Sequence, residues 1–306
     1  MRVLILVLLL LMTAPHAAGQ ADETARWYHE RCGPLVRKIA DEISPALSAT
    51  EKQALRAATI RCILDPGFGA AASRGTDGKA IITVTSGTVA ALDTISTAFA
   101  LGGAYNKSLC GPLYLDKYGE AVRRNVAHLF AGTAMEPGQS PFEFAKRNRT
   151  YCPSVSEEAF RANKLADDMR ELLINGGLRF VLAHELAHIV KKHIDEPPET
   201  QRESRNRERT CDEFALRVVS AAGLTPFEAA AAVSMLATVD DFAMRADKQS
   251  THPSGGARFL NIAVAGKALM EKDPEIMQMM RNDPDRAERW RQAVKAFEMM
   301  AADVDE

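Results

Sequence analysis

The 306-residue sequence lacks an excess of charge of either sign, because 38 lysines and arginines nearly balance 40 aspartates and glutamates. It therefore has no overall field that would attract nucleic acid or another polyanion, and we expect neither as a partner. It also lacks internal repeats, and its 46% hydrophobic and 25% charged residues exclude whole-chain disorder and collagen-like repetition. The composition is that of an ordinary globular protein with a sizeable core.

The N-terminal apolar run is too short for a comfortable membrane span, since it covers only the ten residues 3–12. Arg2 precedes this run, and small residues follow it at 14, 17, 18 and 19, which is typical of an export signal. We therefore predict a signal peptide over residues 1–20, with an uncleaved anchor as the alternative. No cysteine ends the run, so a lipoprotein anchor is not indicated. The mature protein is expected to be exported, periplasmic or secreted, without a transmembrane helix.

Five cysteines are few and odd in number, so at least one thiol stays unpaired. Export would place them in an oxidising compartment, where disulfides persist. The spacing does not determine the connectivity; we expect Cys32 to pair with Cys62 and Cys110 with Cys152, leaving Cys211 alone. Five buried reduced thiols are the alternative.

Helical periodicity dominates the sequence, and the predicted fold class is mainly α with a small β-sheet (α+β). A Ser48–Glu51 capping box marks the start of one helix, and Lys79–Thr85 is β-branched and apolar, as expected of a strand. Asn175, Gly176 and Gly177 are expected to separate two helices. The pattern predicts helices over 22–48, 51–64, 87–98, 116–130, 156–174, 178–193, 207–222, 226–246 and 257–303. The last is broken at Asp273-Pro274 and Asp283-Pro284, and a polar loop is predicted over 195–206.

The helix predicted over 178–193 carries the sequence His184-Glu185-Leu-Ala-His188. Histidines four residues apart project from one face of a helix, within reach of a single zinc ion. Glu185 lies one step round the helix, where its carboxylate can reach a water on the metal instead of the metal itself. The alternative is two histidines that are hydrogen-bonded to carbonyl groups.

The third ligand follows further along the chain. Ile194 occupies the position at which a metzincin has its third histidine, so that class is excluded. Glu208 lies twenty residues past His188 and would complete two histidines and one glutamate, while Asp212 could accept the outer N–H of His184. The alternative places Glu208 on a solvated face within the charged run 202–209.

Three blocks together resemble a known family: VLAHELAHIVKKH (181–193), ERTCDEFAL (208–216) and THPSGGAR (251–258). They are similar to gluzincin zinc metallopeptidases of the family that contains the CaaX prenyl protease, the HtpX-type membrane protease and soluble periplasmic relatives. The strand KAIITVT resembles the edge strand that precedes the zinc helix in that family. The sequence departs from the pattern at Cys211, which stands where the family usually has a small residue before its Asp, and in the short gap of nineteen residues before Glu208.

The resemblance implies an exported zinc metalloendopeptidase with one zinc ion per chain, acting on protein or peptide substrates, with envelope protein quality control as its setting. A catalytically silent zinc-binding chaperone or adaptor of the same fold is the alternative, and a structural binding protein without metal is a third class. The expected organisation is a single metallopeptidase domain over 21–306, with a helical N-terminal part (21–75), a catalytic core (76–265) and a helical C-terminal tail (266–306).

Three further side chains receive expected roles. Arg258 would stabilise the oxyanion, with a surface salt bridge as the alternative. His252 would either occupy the open zinc position and keep the enzyme latent, or donate a hydrogen bond to the oxyanion. His193 is expected on the side of the helix opposite His184, as a structural or outer-shell residue and not as a ligand.

Overall fold

The computed structural model describes residues 20–130, 138–196, 198–246 and 254–304. The predicted signal peptide lies outside these residues except for Gln20. The described chain divides into two compact units, each assembled from separate segments. Unit 1 comprises 20–33, 62–69, 84–130 and 138–171, and unit 2 comprises 34–61, 70–83 and the described residues from 172 onward. The predicted boundaries at 75 and 265 stay a prediction.

Helices dominate the described residues and a three-stranded sheet accompanies them, which confirms the predicted fold class. The helices are α1 (Gln20–Ile43), α2 (Ala49–Ala57), α3 (Ser86–Ala104), α4 (Cys110–Phe130), α5 (Pro141–Arg147), α6 (Glu157–Ala162), α7 (Lys164–Val190), α8 (Gln201–Ala221), α9 (Ala230–Ala246), α10 (Gly255–Lys272), α11 (Pro274–Asn282) and α12 (Pro284–Val304). The strands are β1 (Thr59–Ile63), β2 (Ala70–Arg74) and β3 (Ala80–Thr85), and short 3₁₀ turns cover Ser44–Ala46 and Pro226–Ala229. Within the described part of the chain, none of the helices combines the length and the hydrophobicity of a membrane span.

Unit 1 has a core of aromatic and small apolar side chains, in which Tyr114 contacts Phe144 and Phe142 contacts Phe160 edge to face. A disulfide joins Cys110 and Cys152 within this core, and a second joins Cys32 and Cys62. Cys211 is unpaired and buried. Both predicted pairings and the predicted free thiol are confirmed.

Unit 2 is organised around α10, which packs against α8, α9 and α12. Trp290 of α12 is fully buried, and its indole N–H donates to the Gly266 carbonyl at 3.1 Å. Phe259 and Phe297 stack with their ring centroids 6.0 Å apart. The C-terminal helices are therefore packed elements of the unit, and the predicted breaks before Pro274 and Pro284 are confirmed because α11 and α12 begin there.

The sheet corrects two sequence-based expectations. The helix predicted over 51–64 ends at Ala57, and residues 59–63 form β1 instead. The strand order is β1-β3-β2, so the predicted strand at 79–85 lies in the centre of the sheet and not at its edge. Apolar residues spaced three apart in 59–63 are compatible with either conformation, and pairing with β3 selects the strand.

Helix α7 corrects the predicted break at Asn175-Gly176-Gly177, since it runs without interruption from Lys164 to Val190. A Cβ on Gly176 would lie 2.3 Å from the carbonyl oxygen of Glu228. The glycine therefore allows α7 to approach the backbone of the turn Pro226–Ala229, and tertiary packing offsets its low helix propensity.

Candidate metal centre

The buried part of α7 brings His184 and His188 together. Their Nε2 atoms lie 3.3 Å apart, as expected for residues one turn apart on one helix face. His184 is 6% exposed, and the adjacent Glu185 is 8% exposed. The neighbouring apolar side chains are almost completely buried: Phe180, Val181, Leu182, Ala183, Leu186 and Ala187. Two imidazoles and a carboxylate therefore lie on a stretch of helix whose other side chains are apolar and buried.

Helix α8 supplies a carboxylate to the same point. The helix begins at Gln201, earlier than the predicted Arg207, because the Thr200 hydroxyl accepts a hydrogen bond from the Glu203 N–H at 3.1 Å. Glu208 Oε2 lies 3.3 Å from His184 Nε2, and Glu208 Oε1 lies 3.5 Å from His188 Nε2. Glu208 is 9% exposed, which rules out the alternative of a solvated face.

Asp212 and Arg258 lie behind these groups. Asp212 is completely buried, and its Oδ1 lies 2.9 Å from His184 Nδ1. Arg258 of α10 is 1% exposed and pairs with Asp212, while its Nη2 lies 3.6 Å from Glu208 Oε2. The alternative of a surface salt bridge for Arg258 is therefore wrong. Its guanidinium group contacts the carboxylates of both residues, and its role at an oxyanion stays a prediction.

The C-terminus of α7 places His193 beside His188. Lys192 adopts a left-handed conformation (φ 61°), its N–H bonds to Ile189 O, and the His193 N–H bonds to His188 O at 2.8 Å. This is the Schellman arrangement, which brings the residue after the left-handed position back over the last turn. The Nδ1 atoms of His193 and His188 lie 3.3 Å apart. The expected position of His193 on the opposite side of the helix is therefore wrong, because the helix ends at Val190.

Cys211 is an alternative to Glu208 as the third ligand. One ligand atom each from His184, His188 and Cys211 lies within 4.8 Å of the others, so this buried group could hold a metal ion. The thiol also lies 3.5 Å from His193 Nδ1. Burial raises the pKa of the Cys211 thiol, and the nearby carboxylates of Glu208, Asp212 and Glu185 raise it further.

The donor atoms are spaced as ligands of one metal ion. Tetrahedral ligands at about 2.0–2.2 Å from a zinc-sized ion lie about 3.3–3.6 Å from one another. The two Nε2 atoms and the Glu208 oxygens match this spacing at 3.3, 3.3 and 3.5 Å. Burial lowers the pKa of His184, but Asp212 and Glu208 outweigh it and raise that pKa to about 10. The carboxylates thus stabilise positive charge at this point, which is the electrostatic condition for binding a cation.

One expected residue cannot be located, and one contact at the centre was not expected. His252 lies outside the described residues, so both of its expected roles stay predictions. Sequence reasoning missed the contact of His193 with His188, because it depends on a left-handed turn at residue 192. Glycine or asparagine usually marks such a turn, and a lysine at this position gives no such signal.

Comparison with known proteins gives one family. The sequence profile described as Peptidase U49 matches residues 144–280, which include the whole of α8 and all described residues of the candidate metal centre. This region of the chain is therefore similar to a peptidase family, without a specific match to the CaaX or HtpX-type gluzincins. Comparisons with curated proteins and with solved structures gave no match.

Proposed function

We propose that this protein is an exported zinc metalloendopeptidase of the gluzincin type, with His184, His188 and Glu208 as the metal ligands. The main support is the short distance of 3.3–3.5 Å between the donor atoms of these three residues. His184 and Glu208 are buried, and Glu185 is adjacent to His184 in the chain. The match to a peptidase family over 144–280 supports peptide-bond hydrolysis as the reaction.

A zinc ion held by His184, His188 and Glu208 would supply Lewis acidity to a carbonyl group and to water. Glu185 is the general base, which accepts a proton from the attacking water and transfers it to the leaving amine. Asp212 orients His184 from its Nδ1 side, and Arg258 holds the carboxylates of Asp212 and Glu208. The low exposure of Glu185 and His184 keeps competing bulk water away from the reacting groups.

Export is supported by the signal-like sequence at 1–20 and by the two disulfides, because such bonds persist in oxidising compartments. The resemblance of the three sequence blocks to soluble relatives of the CaaX and HtpX-type proteases further supports a periplasmic setting and proteins as substrates. A silent zinc-binding chaperone or adaptor would need the ligands but not Glu185.

The test combines metal analysis with hydrolysis of an unfolded protein such as denatured casein. We expect about one zinc per chain in the wild type and in Glu185→Gln, with hydrolysis at least one hundredfold slower in the variant because its general base is lost. Glu171→Gln, on the exposed surface of α7, is the control and should retain full activity. A wild type that binds zinc without cleaving the substrate, or a Glu185→Gln variant that cleaves normally, contradicts the proposed reaction.

The same preparation distinguishes the two candidate third ligands. Glu208→Ala should lose most of its zinc affinity, whereas Cys211→Ser should retain it. The opposite pattern assigns the third position to Cys211 and removes Glu208 from the ligand set.

A further inference from the structure

Unit 2 has a cleft of about 760 Å³ between α8 and α10, a size within the usual range of ligand sites. Three arginines of α8 line it: Arg202, Arg205 and Arg209. They are spaced three and four residues apart, so they form one stripe along the helix. Nothing in the proposed reaction uses this stripe.

The cleft carries a positive charge. Its acidic lining residues are Glu203 and Asp212, and both have cationic partners. Glu203 Oε1 accepts from Arg207 Nε at 3.1 Å, and Asp212 pairs with Arg258.

Two arginines of the stripe, Arg202 and Arg209, are exposed. Arg209 also lies 3.5 Å from the Glu213 carboxylate. The surface that faces an incoming molecule is therefore suited to anionic groups.

Arg205 gives an independent indication of a ligand. Its Nη2 donates to Gln201 Oε1 at 3.2 Å, but its Nε is shielded from solvent and has no acceptor among the described residues. A buried N–H without an acceptor is costly, more so on a charged group. Rotation of the guanidinium group toward the cleft would let an anionic group bound there supply the missing acceptor.

The position of the cleft connects it to the candidate metal centre. Asp212 and Arg258 both line it, and their side chains also contact His184 and Glu208. Arg205 precedes Glu208 by one helical turn on the same face. A chain bound along the arginine stripe therefore lies directly beside the residues proposed to hold the metal.

We propose that this cleft binds an acidic segment of the protein substrate, with the stripe of Arg202, Arg205 and Arg209 pairing with its carboxylates. The stripe extends over about 10 Å of helix, too far for a single carboxylate to contact all three guanidinium groups. A peptide segment with several acidic side chains spans that distance, and arginine binds carboxylates in bidentate geometry. This inference rests on the proposed function, because it names the substrate class of that peptidase.

The test measures binding directly, in the Glu185→Gln background, by fluorescence anisotropy. The probes are a labelled peptide with four glutamates and the same peptide with glutamines in their place. We expect the glutamate peptide to bind at least tenfold more tightly, and the triple variant Arg202→Gln, Arg205→Gln, Arg209→Gln to remove that preference. The control triple variant Arg281→Gln, Arg289→Gln, Arg291→Gln changes the net charge equally on exposed parts of α11 and α12 and should keep the preference.

Equal binding of the two peptides, or an unchanged preference in the α8 triple variant, overturns the proposal. Inorganic phosphate is added as a competitor against sodium chloride of equal ionic strength. Displacement by phosphate but not by chloride, together with equal binding of the two peptides, assigns the cleft to free phosphate and also overturns the proposal. Because binding is measured without hydrolysis, a failure of the proposed peptidase reaction remains distinguishable from a failure of the cleft to bind acidic peptides.

Discussion

A polar group lies within 3.3 Å of the second ring nitrogen of each histidine of the candidate metal centre. Asp212 lies beside Nδ1 of His184, and His193 lies beside Nδ1 of His188. Such partners select the tautomer that leaves Nε2 able to bind a metal. For His188 this requires that Nδ1 donates and that His193 Nδ1 accepts.

Replacing Asp212 with asparagine tests this orientation. The substitution keeps the size of the side chain but removes the charge beside His184, so we expect zinc affinity to fall about tenfold to one hundredfold. Competition with a chromophoric chelator measures the affinity. Asp285→Asn, an exposed position of α12, is the control, and equal affinities in the two variants would contradict the role of Asp212.

How much of the site the sequence could predict depends on the distance between its residues along the chain. His184, Glu185 and His188 belong to one helical turn, so their relation follows from helix geometry alone. Arg258 illustrates what could not be derived. Its burial against Asp212 depends on how α10 packs on α8, and no local pattern distinguishes a buried arginine from an exposed one.

Among the elements, α7 depends on a close contact at Gly176. The backbone carbonyl of Glu228 occupies the space that a side chain at this position would need. Sequence reasoning predicted a helix break here because glycine has a low helix propensity. The helix predicted over residues 59–63, which form β1, is also an error of local preference. In both cases a contact with a distant segment decides the conformation.

Gly176→Ala should therefore destabilise the protein, although alanine is favoured in helices by about 1 kcal/mol. The added Cβ would lie 2.3 Å from the Glu228 oxygen and force the backbone apart. Overpacking of this kind costs about 1–3 kcal/mol before the gain in helix propensity is subtracted. Urea denaturation measures the change. Gly138→Ala, where nothing lies within 4 Å of the added Cβ, serves as the control, and a Gly176→Ala variant more stable than wild type would refute the contact.

At the scale of the whole molecule, covalent cross-links and candidate chemistry lie in different units. Both disulfides join residues of unit 1, across sequence separations of 30 and 42 residues. The described residues of the candidate metal centre and of the arginine-lined cleft belong to unit 2. Unit 1 therefore owes part of its stability to oxidation.

Removing the longer cross-link tests this dependence. The double variant Cys110→Ser, Cys152→Ser should lose about 4 kcal/mol of stability, because the unfolded chain regains the freedom of a closed loop. Hydrogen exchange should show reduced protection in α3 and α4. Cys211→Ser leaves both bonds intact and should exchange as the wild type does in these helices. Unchanged protection in the double variant would mean that packing alone maintains this part of unit 1.

The interleaved segments of the two units also give the protein a biosynthetic order. Every residue of unit 1 has been made once translation passes Glu171, whereas His184, Glu208 and Arg258 are still to come. Folding units tend to form in the order in which the chain emerges, N-terminal parts first. All four paired cysteines therefore precede the residues of the candidate metal centre in the chain, so unit 1 has everything it needs for its disulfides before a metal could be bound.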